Sequence, residues 1–128
     1  MYPIFVIGLI GLALVSCKPK EEPVTAPAET KLEHPSDWTP AEPGLQAGKI
    51  IYQSECSLCH DEGEEGAPKL SNKKQWDTRS EKGLPTLIKH AIEGFNGEDG
   101  EMPARGGTET LTDEEVSNAV KFMIAAPK

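Results

Sequence analysis

Aromatic side chains make up only 5% of the 128 residues, too few to supply the bulk of a packed interior. Cationic residues are outnumbered, 13 Lys and Arg against 21 Asp and Glu for a formal net charge of −8, and they nowhere form a continuous basic stretch. Nucleic-acid backbones require clustered cations, so that class of partner is excluded. The one long apolar run, Tyr2 to Ser16, falls short of the ~20 residues that span a bilayer. No segment alternates in the manner of a half-buried strand, and no repeat occurs. What is left to fold is one small domain, short of apolar mass for its size. Disulfides, a metal or a bulky cofactor must make up the difference, and the three cysteines, Cys17, Cys56 and Cys59, decide among these.

The apolar run has the length of the hydrophobic region of an export signal, although no Lys or Arg precedes it. It ends in Leu14-Val15-Ser16-Cys17, which resembles the lipobox of bacterial lipoproteins. That resemblance implies a signal peptide over residues 1–16 and a lipid on Cys17. From Lys18 to about Ala41 the chain is rich in Pro, Glu, Lys, Thr and Ala without apolar periodicity, which predicts an extended, mobile tether over residues 17–41. His34 and Trp38 fall in this tether, where a histidine is expected to be solvated. The folded domain is expected over residues 42–128.

Helical spacing predicts three main helices there. Leu45, Gly48, Ile51 and Tyr52 recur at helical intervals in a segment from about Leu45 to Glu55. Leu84, Leu87, Ile88, Ala91 and Ile92 form a second stripe, with Pro85 in the first turn and Gly94 at the C-terminal cap. The third begins at Thr112, where Glu115 completes a capping box and Leu111 with Val116 forms a hydrophobic staple. Its core stripe is Val116, Ala119, Val120, Met123 and Ile124. The segments between are read as loops, and the fold class as all-α.

Cys56-Ser57-Leu58-Cys59-His60, placed just after the first helix, is the C-x-x-C-H haem-attachment pattern. Two thiols at this spacing add to the two vinyl groups as thioethers, and the adjacent imidazole reaches the iron. The competing roles fit less well. A thioredoxin-like dithiol needs a βαβ setting, a tetrahedral zinc site needs two more ligands, and a Cys56–Cys59 disulfide would close too small a loop to stabilise much. A haem c held in this way also provides the missing core.

Three residues compete to be the sixth iron ligand. His90 lies well off the apolar stripe of its helix, so it is expected to face solvent. Met123 lies on a core stripe and is expected to pack. Met102 sits in Gly100-Glu101-Met102-Pro103-Ala104-Arg105-Gly106-Gly107, whose proline and glycines let backbone approach a flat cofactor, and it is the favoured ligand.

From about Leu45 to Ala126 the chain resembles a class I cytochrome c of the small bacterial type. The likeness rests on the Gly48-x-x-x-Tyr52 first helix, the haem motif, Met102-Pro103 followed by Gly106-Gly107, and a final helix carrying Phe122. It implies three main helices and loops wrapped around one covalent haem, His60 and Met102 as axial ligands, and electron shuttling. It also implies that the Pro68 carbonyl accepts from His60 Nδ1, the alternative being an ordinary loop proline, and that Phe122 packs on Gly48 and Tyr52. Trp76 and Arg79 are candidates to bond a haem propionate, with a Trp edge-packed in a loop as the alternative.

Two strong-field ligands, one a soft thioether, favour the ferrous state and leave no open iron site, which suits a carrier of single electrons rather than an enzyme. Redox proteins are the expected partners, with the membrane reached through the lipid and no small-molecule substrate, and a monomer or weak dimer is expected. Lys69 to Lys89 is mainly basic and Glu93 to Glu115 acidic, a distribution that can orient brief encounters. A haem-based sensor and a non-catalytic subunit of an oxidoreductase are the alternatives.

Overall fold

The first helix, α1 (Pro43–Ile51), starts with proline in its first turn, where the missing N–H costs nothing. Its buried Gly48 allows a close crossing: a Cβ there would overlap the Asn118 carbonyl and lie 3.1 Å from Phe122 Cβ. The helix it crosses is α5 (Asp113–Ala125). Tyr52 and Phe122, both fully buried, meet beside this crossing with ring centroids 5.5 Å apart. Thr112 and Glu115 form the expected capping box on α5, with Thr112 N–H donating to Glu115 Oε2 at 2.8 Å and Glu115 N–H to Thr112 Oγ1 at 3.3 Å. At the other end Lys128 Nζ donates to the carbonyls of Met123 and Ala126, at 2.8 and 2.9 Å, where a cation also suits the helix dipole.

The computed structural model describes residues 32–128, which belong to one compact unit, Lys31–Lys128. The expected signal peptide, the lipidated Cys17 and most of the tether lie outside the described residues.

The end of the expected tether is folded. His34 caps a short turn, Pro35–Asp37, with Nδ1 accepting from Ser36 N–H at 3.2 Å. Trp38 then stacks on Phe122 at 5.9 Å, and Pro40 is fully buried. The boundary expected at residue 42 therefore falls too late. Two isolated core contacts in a proline-rich stretch show no periodicity, and periodicity was the only signal that could have moved it.

The second stripe becomes α4 (Leu84–Glu93), which ends at Gly94 in a positive-φ conformation. Ala91 of α4 packs with Val116 and Val120 of α5, and Leu87, Ile88, Ile92 and Leu111 border them. A further helix, α3 (Lys73–Ser80), occupies a segment read as loop. Its sequence buries only Trp76, so no stripe announces it; the Asn72 side chain accepting from Gln75 N–H and a Lys73–Asp77 ion pair at 2.7 Å support it locally. Two strands that alternation was too short to reveal, β1 (Phe95–Asn96) and β2 (Glu101–Met102), pair antiparallel with Phe95 opposite Met102.

Candidate functional site

The haem motif lies within a helix rather than after one. Beyond α1 the chain makes a π-helical turn, Tyr52–Cys56, then one α-turn, α2 (Ser57–His60). Ser57 N–H reaches back five residues to the Tyr52 carbonyl, so the helix is locally widened, as is frequent at functional sites. Cys56 and Cys59 are half-buried free thiols on one wall of a cavity of about 640 Å³. Burial, then the nearby Glu55 and Cys59, pushes the Cys56 thiol up to about 11, so it is held as the thiol at neutral pH. Among the described residues, no three His, Cys, Asp or Glu side chains gather as metal ligands.

His60 is buried, and its Nδ1 lies 2.9 Å from the Pro68 carbonyl. A carbonyl can only accept, so Nδ1 carries the proton and Nε2 keeps a free lone pair. Burial, assisted by the charge of Arg79, lowers the imidazole pKa, against the Pro68 bond and Asp61, which raise it. The neutral ring is the metal-ligating form. Its backbone is fixed as well, since Leu70 N–H donates to the His60 carbonyl at 2.6 Å and Leu70 is fully buried. Trp76, expected in a loop, lies on α3 with its ring 6.0 Å from that of His60. Its indole N–H donates to the Lys69 carbonyl at 2.8 Å, so here it braces the loop behind the histidine. Arg79 lines the cavity and stands 3.6 Å from Asp99.

Met102, half-buried on β2, rests against the Ala91, Val116 and Val120 cluster and also lines the cavity. Gly94 lets its backbone approach: a Cβ there would lie 3.1 Å from the Met102 carbonyl and 3.0 Å from Ala104 N. The chain then turns through Arg105, Gly106 and Gly107, at φ of 54°, 63° and 90°. Arg105 ties this turn to the start of α5, donating to the Leu111 carbonyl at 2.8 Å and to Asp113 at 2.6 Å. Thr108 donates to Glu55 at 2.8 Å, which joins the methionine loop to the residue before the haem motif.

Cys56, Cys59, His60, Pro68, Trp76, Arg79 and Met102 thus all face one cavity. The residues fit a covalent haem: two free thiols one helical turn apart, an imidazole with a free lone pair and a thioether line a single large space. Met123 is buried in the core and reaches the same wall. His90 departs from expectation, because it is half-buried, lines the cavity and stacks on Phe95 at 4.3 Å. The helical wheel could not show this, since Phe95 lies past Gly94 and folds back over the helix. Tyr52, Asp61 and His34 form a polar group behind the motif that sequence reasoning also missed. The Tyr52 hydroxyl donates to Asp61, and His34 Nδ1 lies 3.8 Å from the same carboxylate.

Residues 43–123 match the family described as cytochrome c oxidase, cbb3-type, subunit III. The chain belongs to the cytochrome c family. Cytochrome c-555 of Chlorobaculum tepidum is 44% identical over 82 residues, covering 64% of this chain and 76% of that protein. Cytochrome c5 of Ectopseudomonas mendocina is 30% identical, covering 62% of this chain and 90% of its own length. The cytochrome c fold is found also in a crystal structure titled as an electron transfer complex of nitrite reductase with cytochrome c, at 34% identity and a TM-score of 0.56, covering 62% of this chain and 93% of that one. This cytochrome is thus a small class I protein with one covalent haem c, and its relatives mark it as an electron carrier.

Proposed function

We propose that the cytochrome is a lipoprotein that carries single electrons between redox proteins on the periplasmic or outer side of a bacterial membrane. In this reading Cys56 and Cys59 form the thioethers, His60 and Met102 are the axial ligands, and Cys17 carries the lipid. The observation that carries it is the convergence of these four haem-site side chains on one cavity. Haem bound there supplies the redox centre. The protein's own residues hold its ligands still: Pro68 orients the imidazole, Trp76 and Leu70 brace the loop behind it, and Arg105 anchors the methionine turn. Ligands held this firmly need not move when the oxidation state changes, which keeps reorganisation small. Among the described residues no helix is long and apolar enough to cross a membrane.

Exposed Glu64, Glu65, Glu98 and Glu101 line the cavity and have no ion-pair partner among the described residues. A partner with a basic docking face suits this rim. The structural relative was crystallised with a nitrite reductase, and a redox enzyme is the class of partner we infer here.

The test is intact-mass analysis of matured full-length protein alongside a haem-stained denaturing gel. One covalent haem and one lipid are expected, with the lipid mass lost in Cys17→Ser. Unmodified mass at Cys17 would refute the anchor while leaving the carrier role standing. Rapid CO binding to the ferrous protein would favour a ligand-binding role instead.

A further inference from the structure

We propose that Gly66 and Gly100 form a reciprocal backbone latch, joining the loop after His60 to the loop before Met102 and holding the methionine against displacement from iron. The proposal rests on Met102 being the sixth ligand.

The two glycines lie on loops 34 residues apart in sequence, and each is shaped to the other. A Cβ at Gly66 would overlap the Asp99 carbonyl and sit 3.0 Å from Gly100 N. A Cβ at Gly100 would overlap the Glu65 carbonyl and lie 3.3 Å from the Gly66 Cα. Neither contact can be relieved by turning a side chain, because both are backbone against backbone. The approach exists only while both residues lack side chains.

Backbone conformation on the histidine side agrees. Gly63, Glu65 and Gly66 have φ of 79°, 50° and 81°, and a left-handed glutamate persists only where surrounding structure holds it. On the methionine side, Gly97 N–H donates to the Gly100 carbonyl at 2.9 Å and closes the tip of the β1–β2 hairpin. Two strands of two residues each are far too short to stay paired alone. The hairpin is therefore gripped at its base by the tight approach of Gly94 to Met102 and at its tip by Gly66. The Arg79–Asp99 pair at 3.6 Å adds a side-chain link, but Asp99 is mostly exposed and such pairs contribute little. Fitted backbone is what remains to restrain the tip. Once the latch opens, only the two-residue strand pairing and the Gly94 contact hold Glu101 and Met102, so the rate at which the sulfur leaves should follow the opening of the latch.

Ferric, fully matured protein is to be mixed with potassium cyanide well below its melting temperature, while the sulfur-to-iron charge-transfer band is recorded. Gly66→Ala and Gly100→Ala are each expected to raise the cyanide association rate at least about tenfold and to weaken the band. The double variant should add little, because both substitutions open one contact. Gly63→Ala is the control: it lies in the same loop with nearly the same φ, but its Cβ would meet chiefly the flexible Lys69 side chain, at 3.1 Å, so a change within about twofold is expected. A folded Gly66→Ala that binds cyanide at the wild-type rate overturns the latch, as does an equal rise in Gly63→Ala. Met102→Ala is measured in the same series. If it keeps the band, the ligand assignment fails and the latch with it; if it loses the band while the glycine variants react normally, only the latch fails. Should the alanine variants not mature, native-state hydrogen exchange of the wild type decides. Amides of residues 65–67 and 97–102 must share one opening rate, and unequal rates reject the proposal.

Discussion

Tyr52 fills the core beside Gly48 while placing its hydroxyl on Asp61, the residue after His60. Burial and then Asp61 raise the phenol above its usual range, so this tyrosine should not ionise with the ordinary alkaline titration. Tyr52→Phe leaves Asp61 without its donor, and a loss of about 1 kcal/mol in denaturant titration is expected. Glu115 provides a pH-dependent counterpart at the head of α5. Hydrogen bonds from the Thr112 N–H and hydroxyl hold its carboxyl below the usual 4.5. A depressed value means the ionised form is favoured by folding, so its contribution is present above the ordinary glutamate range and lost as pH falls through the folded value. The melting temperature of Glu115→Gln should therefore fall furthest below wild type near neutrality, with the gap narrowing as the pH is taken below the ordinary glutamate range. The capping box and the haem motif could be read from sequence because each is a short pattern with fixed spacing. His90 could not, since its surroundings come from Phe95 on a different element.

At the level of elements, what decides legibility is how much apolar surface a segment shows in sequence order. α4 and α5 show stripes and were found with their caps. α1 is legible too, and the helix expected to about Glu55 takes in most of the π turn; the last turn to His60 is not legible, because the motif residues show no apolar stripe. α3 has one buried side chain and was missed entirely, which is also why Trp76 was expected in a loop. The stretch before α1 was missed for a related reason, and it has a measurable role. Trp38 stacks on Phe122, so Trp38→Ala should lower stability in denaturant titration by about 2 kcal/mol, and a chain trimmed to begin at residue 42 should lose at least as much relative to one beginning at residue 32. Gly48→Ala drives a methyl group into the Asn118 carbonyl at the α1–α5 crossing, and about 2–3 kcal/mol should be lost.

For the whole molecule, the excess of acid and its placement around the cavity bear on speed more than on affinity. Association with a basic redox partner should slow about tenfold between low and physiological ionic strength, as stopped-flow kinetics would reveal. A rate that ignores salt would argue for an apolar docking face instead. The widened turn from Tyr52 to Cys56 has an architectural consequence. It inserts an angular offset between the part of the helix that packs and the part that carries the attachment motif, so that Gly48 can face α5 while His60 faces the cavity. Wound as an unbroken α-helix, the same residues would keep every letter of the attachment motif while the imidazole swung about 100° around the axis. Such a chain would still carry the pattern by which the protein is recognised from sequence, yet aim it at the wrong wall.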